Sequence, residues 1–405
     1  MRLKAHSEDF RVEELINLPK GTARFAYYRV EKVGIPTPLA QLFLAQALGV
    51  KPKEVFLPAL KDSRAVAVQY ASVPLRGDLP GEIHRGPLRA WLVGYGPRRL
   101  EGRDLLGNRF RILVRGLSPD GARALRDGLL RIATQGFPNY FDEQRFGSLS
   151  PLGSPGKAIL ERDAVGALRF YLAEELRGDP EGVREFKRLA REHWGEWGFL
   201  LERAPRPSNF RSVLAFLKDH PSDYRKALNL IPPRLLSLFL SAYQSLLWNR
   251  ILGRWIVLNF PAVVNLEIAG ENLPVPISVP DGILPRLRRE KLALPHNRAR
   301  YGGEWERIAQ EVLAEEGMNF QDLKARIVER AYLSKAERPI WCFPEELELG
   351  EPREDELYPD TLSLELGFTL PPGSYATLYI KSAWVPGERS LIAPAPHYGK
   401  NLLNQ

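Results

Sequence analysis

The chain changes texture twice, and this double change limits what it can fold into more than any single motif does. Residues 1 to 150 alternate strand-like and helix-like segments. Ser148 to Pro155 is a Ser/Gly/Pro stretch of the kind found at domain crossings. From about 157 to 258 the chain reads as mostly helical, and from about 338 strand patterns return, with Leu362 to Phe368 alternating cleanly between apolar and polar. Strand texture on both sides of a helical block predicts one α+β domain, discontinuous in sequence, with a helix-rich insertion. The expected parts are 1–155 and 338–405 for the interrupted domain and 156–337 for the insertion. A length of 405 residues, too great for one ordinary core, agrees with this.

Local signals predict the individual elements. Arg24 to Val33 reads as a strand. Thr37 reads as the cap of a helix that has Pro38 as its first residue and runs to Leu48, with Gly49 as its stop. Val55 to Leu60 and Ala65 to Val73 read as strands flanking a turn at Lys61-Asp62. Further strands are expected at Leu88 to Tyr95 and at Phe110 to Val114, the second entered through Gly107-Asn108. Ser118 caps a helix that begins at Pro119 and ends before Gly136. In the insertion a long helix is expected over Leu235 to Leu258, with others over Glu304 to Glu316 and Asn319 to Arg330.

Composition narrows the function classes. The formal net charge is +8 and arginine outnumbers lysine 42 to 15, which favours a polyanionic partner. Guanidinium groups offer a planar fork to phosphates and a flat face to bases, so RNA fits this bias. The single cysteine, Cys342, excludes a disulfide framework and reads as a buried small hydrophobe. The 6 histidines are scattered without helical i, i+4 spacing, so no metal site is expected. The N-terminus lacks the apolar stretch of a signal peptide and no run is long enough to span a membrane, so the expected location is the cytoplasm.

Four constellations carry chemistry. Lys61-Asp62 presents one carboxylate among cations, which suits nucleophilic or general-base work and equally a solvated surface ion pair. Asn139-Tyr140-Phe141-Asp142-Glu143-Gln144-Arg145-Phe146-Gly147 sets aromatics beside amides and a guanidinium, as in a pocket that stacks a base and hydrogen-bonds its edge. Lys4 with Glu8-Asp9-Phe10-Arg11-Val12-Glu13 is the third. Gly367-Phe368-Thr369-Leu370-Pro371-Pro372-Gly373-Ser374-Tyr375-Ala376-Thr377 is the fourth, with a turn that lets backbone approach a ligand closely. No phosphate-binding Gly loop and no Gly-x-Ser-x-Gly elbow is found.

Taken in order, these segments resemble the TruD family of tRNA pseudouridine synthases. Glu8-Asp9-Phe10 with Val12 and Glu13 resembles its N-terminal motif. Ala59-Leu60-Lys61-Asp62-x-Arg64-Ala65-Val66-x-x-Gln69 resembles the motif of its catalytic aspartate. Gly107-Asn108-x-Phe110, Pro138-Asn139-Tyr140-Phe141-x-x-Gln144-Arg145-Phe146-Gly147, Gln244-Ser245-x-x-Trp248-Asn249 and the Phe368 to Thr377 segment follow in the family's order. Two departures stand out. Asp142 occupies a position that is commonly Gly, and the stretch from about 160 to 235 is longer than in the shortest members.

The resemblance implies a pseudouridine-synthase-like catalytic domain with a mainly antiparallel mixed sheet, interrupted by the insertion, the two forming a cleft for RNA. It implies isomerisation of a uridine to pseudouridine, usually at position 13 of tRNA(Glu), by a monomer that needs no metal or organic cofactor. Asp62 is then the essential carboxylate, with Lys4 as first candidate for its partner cation and Lys61 as second. As the neighbour of Asp62 in an extended segment, Lys61 is expected to point away from it. Arg145 and Arg64 are further candidates for the cation, and Lys61 and Arg145 are also expected among the residues that bind the substrate. Phe141 is expected to stack on the flipped base, Asn139 to hydrogen-bond it, and Phe10 and Phe368 to line the pocket. The competing reading is a non-catalytic tRNA-binding or RNA-folding protein on the same scaffold. A hydrolase with an aspartate nucleophile is more distant, because no second acid/base group can be placed.

Overall fold

The structure, a computed structural model, describes residues 1–206 and 208–384. The chain divides into two units: Met1–Gly136 with the described residues from Cys342 onward, and Phe137–Trp341.

The first unit is built on a mixed sheet of nine strands among the described residues. Six come from its first part: β1 (Phe10–Ile16), β2 (Phe25–Val33), β3 (Val66–Pro74), β4 (Glu82–Arg85), β5 (Leu88–Gly96) and β6 (Leu105–Leu117). Three come from the second part, Glu345–Leu349, Arg353–Glu354 and Leu362–Leu370. Along the sheet the order is Glu345–Leu349, Leu362–Leu370, β6, β1, β3, β2, β5, β4, with Arg353–Glu354 paired to Leu362–Leu370. All pairings are antiparallel except β1 with β3, where Arg11 lies opposite Val66 and Glu13 opposite Val68. The mainly antiparallel mixed sheet expected from the sequence is therefore present.

The one parallel pair positions the site. It sets the start of β3 beside the start of β1, so the chain entering each strand lies at the same end of the sheet. The segment entering β1 carries Lys4, and the segment entering β3 carries Lys61 and Asp62.

Helix α1 (Thr37–Ala47) buries Ala40, Leu44 and Ala45 in a core with Val30, Ala71, Val73 and Leu88. Helix α2 (Pro119–Gln135) starts at the predicted cap, where Ser118 accepts from Gly121 N, and buries Ala122, Leu125, Leu129 and Ile132. Gly128 faces the end of helix Ala376–Ala383, and a Cβ there would lie 2.1 Å from the Ala383 carbonyl, so only glycine allows this approach.

The second unit is mostly helical. Its central element is the 27-residue helix Pro233–Asn259, buried on nearly all sides through Leu236, Phe239, Leu240, Tyr243, Trp248 and Trp255. It also holds a hairpin of Val263–Ile268 and Glu271–Pro276 and the short pair Lys291–Ala293 with Glu337–Pro339. Among the described residues no helix is long and apolar enough to cross a membrane.

Four local expectations differ from the structure. Val55 to Leu60 does not form a strand; Pro58 lies within it, and only Phe56 pairs, with Ser72. Thr37 does not cap its helix, because its hydroxyl is engaged with Lys61. Gly107-Asn108 lies inside β6 rather than at a turn before it, and a Cβ at Gly107 would meet the Leu370 carbonyl at 2.9 Å. Asn319 to Arg330 forms only the single 3-10 turn Phe320–Asp322. There Asn229 donates to the Ile327 carbonyl at 2.9 Å and accepts from Glu329 N at 2.9 Å, taking up backbone groups that a helix would need.

Candidate active site

In the first unit, the Lys4 ammonium donates to Asp62 Oδ2 at 2.5 Å, with the two side chains 17% and 26% exposed. Such partial exposure keeps the carboxylate reachable and also moderates the desolvation cost of the pair. The Lys4 Nζ lies 4.1 Å from the centroid of the buried Phe10 ring, so the ammonium is gripped by a carboxylate and an aromatic face together. Phe10 is in turn set by Phe110 at 6.0 Å, and Phe110 stacks on Phe368 at 5.3 Å.

Lys4 adopts φ +59°, a left-handed conformation uncommon for a side chain of this kind and costing about 1 kcal/mol or more. Both flanks of the residue hold it there. Arg2 pairs with Arg115 through both main-chain hydrogen bonds, Arg2 N to Arg115 O at 2.7 Å and Arg115 N to Arg2 O at 3.0 Å. On the other side Asp9 accepts from His6 N at 2.9 Å and from the Arg115 guanidinium at 2.9–3.0 Å, while Asp355 takes a second edge of that guanidinium at 3.1 Å. The hydrogen bonds to Asp9, the largest influence, carry the Arg115 guanidinium above its ordinary value, against the opposing effect of burial. This buried Asp9–Arg115–Asp355 triad anchors the segment that presents Lys4, a role that no local pattern in the sequence announces.

Lys61 faces away from Asp62. Its Nζ reaches Asn108 Oδ1 at 2.5 Å and Glu14 Oε1 at 3.1 Å. The Glu14 carboxyl is raised by burial, against the attraction of Lys61. Its Oε2 accepts from Tyr70 N at 2.9 Å, whereas its Oε1 meets Lys61 as an ion pair without hydrogen-bond geometry. Lys61 thus ties its loop to β1 and β6. The Thr37 hydroxyl ties the same loop to α1, accepting from Lys61 N at 3.0 Å and lying 3.3 Å from Lys61 O and from Gln69 Oε1. Leu60, just before, is 65% exposed, so the loop's tip faces solvent. A groove of about 390 Å³ is lined by Phe110 and Phe368 together with Arg109, Arg111, Glu346, Glu348 and Thr369. Neither Lys4 nor Asp62 lines it, and Arg109 already pairs with Glu346 there.

In the second unit, Asn139, Phe141 and Arg145 form one packed group. Asn139 and Phe141 are buried, and the Arg145 guanidinium lies 5.4 Å from the Phe141 ring and donates to Ser245 at 3.0 Å. The helix motif at 244–249 explains itself here. Asn249 accepts from Phe141 N at 2.8 Å and donates to Phe141 O at 2.9 Å, closing both main-chain valences of that residue. Asp142, the departure from the family pattern, is buried, and its carbonyl accepts from Arg145 N.

A residue without any local sequence signal organises this segment. Arg338, on strand Glu337–Pro339, donates to Asn139 O at 2.8 Å, Asn139 Oδ1 at 2.8 Å and Tyr140 O at 3.1 Å. Its guanidinium also lies 4.1 Å from the Phe141 ring centroid. Arg338 and Asn139 stand 199 positions apart, and only the fold brings them together. Arg338→Lys loses the planar fork and is expected to cost about 2 kcal/mol in stability. Urea unfolding checks this, and an unchanged midpoint would exclude the organising role.

The family model described as tRNA pseudouridine synthase D (TruD) matches residues 1–269. A Methanocaldococcus jannaschii protein named "Probable tRNA pseudouridine synthase D 2" is 31% identical, covering 95% of this chain and 92% of its own. The tRNA pseudouridine synthase D of Aquifex aeolicus is 28% identical, covering 96% of this chain and 100% of its own. A crystal structure of the putative TruD of Methanosarcina mazei superposes with a TM-score of 0.68 at 26% identity, covering 94% of this chain and 93% of that one.

Proposed function

The chain belongs to the tRNA pseudouridine synthase D family, and from that premise we propose that it isomerises a uridine of tRNA to pseudouridine with Asp62 as the essential carboxylate. The favoured target is position 13 of tRNA(Glu). The observation that carries the assignment is the Lys4–Asp62 pair at the shared end of β1 and β3.

The reaction breaks the bond between ribose C1′ and uracil N1, turns the uracil and joins C1′ to C5. The proton on C5 leaves and N1 gains one, so the balance is redox-neutral. Attack on C1′, attack on the base and removal of a ribose proton are the three routes open to a carboxylate, and each needs it ionised. Lys4, donating to Oδ2 at 2.5 Å, sets a cation beside that carboxylate.

In this proposal Phe141 stacks on the extruded base, Asn139 bonds its edge, and Arg145 helps to hold that segment. Phe10 and Phe368 are the first unit's proposed apolar contacts to the substrate, and Lys61 holds the loop rather than acting as the partner of Asp62. Extrusion costs a few kcal/mol, which stacking and phosphate contacts offset. The excess of arginine supplies those contacts and makes binding weaken with salt.

Release of tritium from tRNA carrying 5-labelled uridine tests the activity, and mapping of pseudouridine with and without the protein identifies the position. Binding without tritium release would support the non-catalytic reading instead.

A further inference from the structure

Lys32 is a fully buried lysine. It lies on β2 with Ala67 of β3 on one side and Leu88 of β5 on the other. Its Nζ donates to two main-chain carbonyls, Ile35 O at 2.8 Å and Asp62 O at 2.5 Å. Among the described residues no carboxylate forms a direct ion pair with it. A buried ammonium with only carbonyl partners is a poor choice for stability, since an apolar side chain of equal length would fill the same space without the desolvation cost. The feature calls for another reason.

We propose that Lys32 is a positioning residue for the reaction, fixing the main chain of Asp62 and setting a second positive charge behind its carboxylate. This rests on the assignment of Asp62 as the essential group. Lys4 holds the side chain of Asp62 from the front, Lys32 its backbone from within the sheet, and Thr37 and Asn108 the preceding residue. A nucleophile or base held at both side chain and main chain loses less freedom when the substrate arrives.

The charges that face Lys32 are few. Asp62 and Lys61 act on it from the loop; Lys4 and Glu14 lie one step further, each paired with one of these. From β3 and β5 it meets Ala67 and Leu88, and α1 carries no charged side chain. Burial brings the Lys32 ammonium down to about 8, with Asp62 opposing the fall and Lys61 adding to it. A neutral amine keeps two N–H groups, so both carbonyl bonds survive deprotonation and only the charge is lost. The folded value lies below the ordinary lysine value, so the unfolded chain binds more protons between the two, and the contribution of Lys32 to stability rises with pH there. Loss of activity from this group therefore comes without loss of fold, which separates it from alkaline unfolding.

The test is single-turnover tritium release by the full-length protein from about pH 6.5 to about pH 9, with tRNA affinity and melting temperature followed in parallel. The wild-type rate is expected to fall about tenfold by pH 9 with a midpoint near 8, with affinity and melting temperature held. Lys32→Met is expected to lose about 100-fold in rate at pH 7 with little change in affinity, and to show no titration near 8. A Lys32→Met enzyme with the wild-type rate and the same alkaline limb would overturn the proposal. Should Lys32→Met fail to fold, the wild-type profile still tests the charge, a flat rate up to pH 9 overturning the claim that the Lys32 charge supports Asp62. Asp62→Asn run alongside keeps the two claims apart. Turnover by Asp62→Asn removes both, whereas an inactive Asp62→Asn beside an active Lys32→Met removes only this one.

Discussion

Asp62→Asn is expected to fold, to bind tRNA within a few-fold of wild type and to form no pseudouridine, a loss of at least about four orders of magnitude in rate. The amide keeps the shape of the carboxylate and can accept from Lys4 through its oxygen, so the loop held by Lys32, Thr37 and Asn108 has no reason to move. What it lacks is the negative charge, and all three routes open to this residue depend on that charge. The stability cost is small, because the pair with Lys4 is partly exposed. Circular dichroism and a tRNA gel shift establish the first two points and tritium release the third. Turnover close to wild type would remove Asp62 from the mechanism altogether.

Lys4→Met carries the second large effect. Methionine retains the apolar stem against Phe10 but removes the charge at Asp62. Turnover is expected to fall by about 10²–10³, equivalent to about 3–4 kcal/mol of lost electrostatic support. tRNA affinity should change by less than about tenfold, since Lys4 points inward to Asp62 and is mostly buried. Separate measurement of kcat and Kd decides between this and a phosphate contact, for which affinity would fall and kcat would stand. The left-handed backbone at Lys4 is held by the Arg2–Arg115 pairing and the Asp9–Arg115 triad, not by the side chain. The substitution should therefore leave that segment in place.

Much of the site was legible because its parts are short and local. A Lys-Asp turn between apolar runs, an Asn-Tyr-Phe segment and a long helix with Gln-Ser and Trp-Asn each announce themselves in a few residues. Thr37 was legible as a residue of importance but not in its role. Its side chain competes between its own helix and the loop 24 positions away, and the loop takes it. Glu14 gave no signal, because a glutamate on an alternating strand looks like a solvated face until the register sets it opposite Asn108 and beneath Lys61.

The sequence by itself determined the texture of the chain, the helix at Pro119–Gln135, several strands of the sheet and the family, and it singled out Asp62 as the candidate carboxylate. Those depend on periodicity, caps and contiguous motifs, which a linear reading can see. Only the tertiary structure decided which cation meets Asp62, that Lys61 turns to Glu14 and Asn108, that Lys32 reaches the carbonyl of Asp62, and that Arg338 gathers Asn139, Tyr140 and Phe141. The reason is physical: one parallel strand pair fixes which loop ends share an edge of the sheet, and a charged side chain takes whichever partner that register brings within about 3 Å.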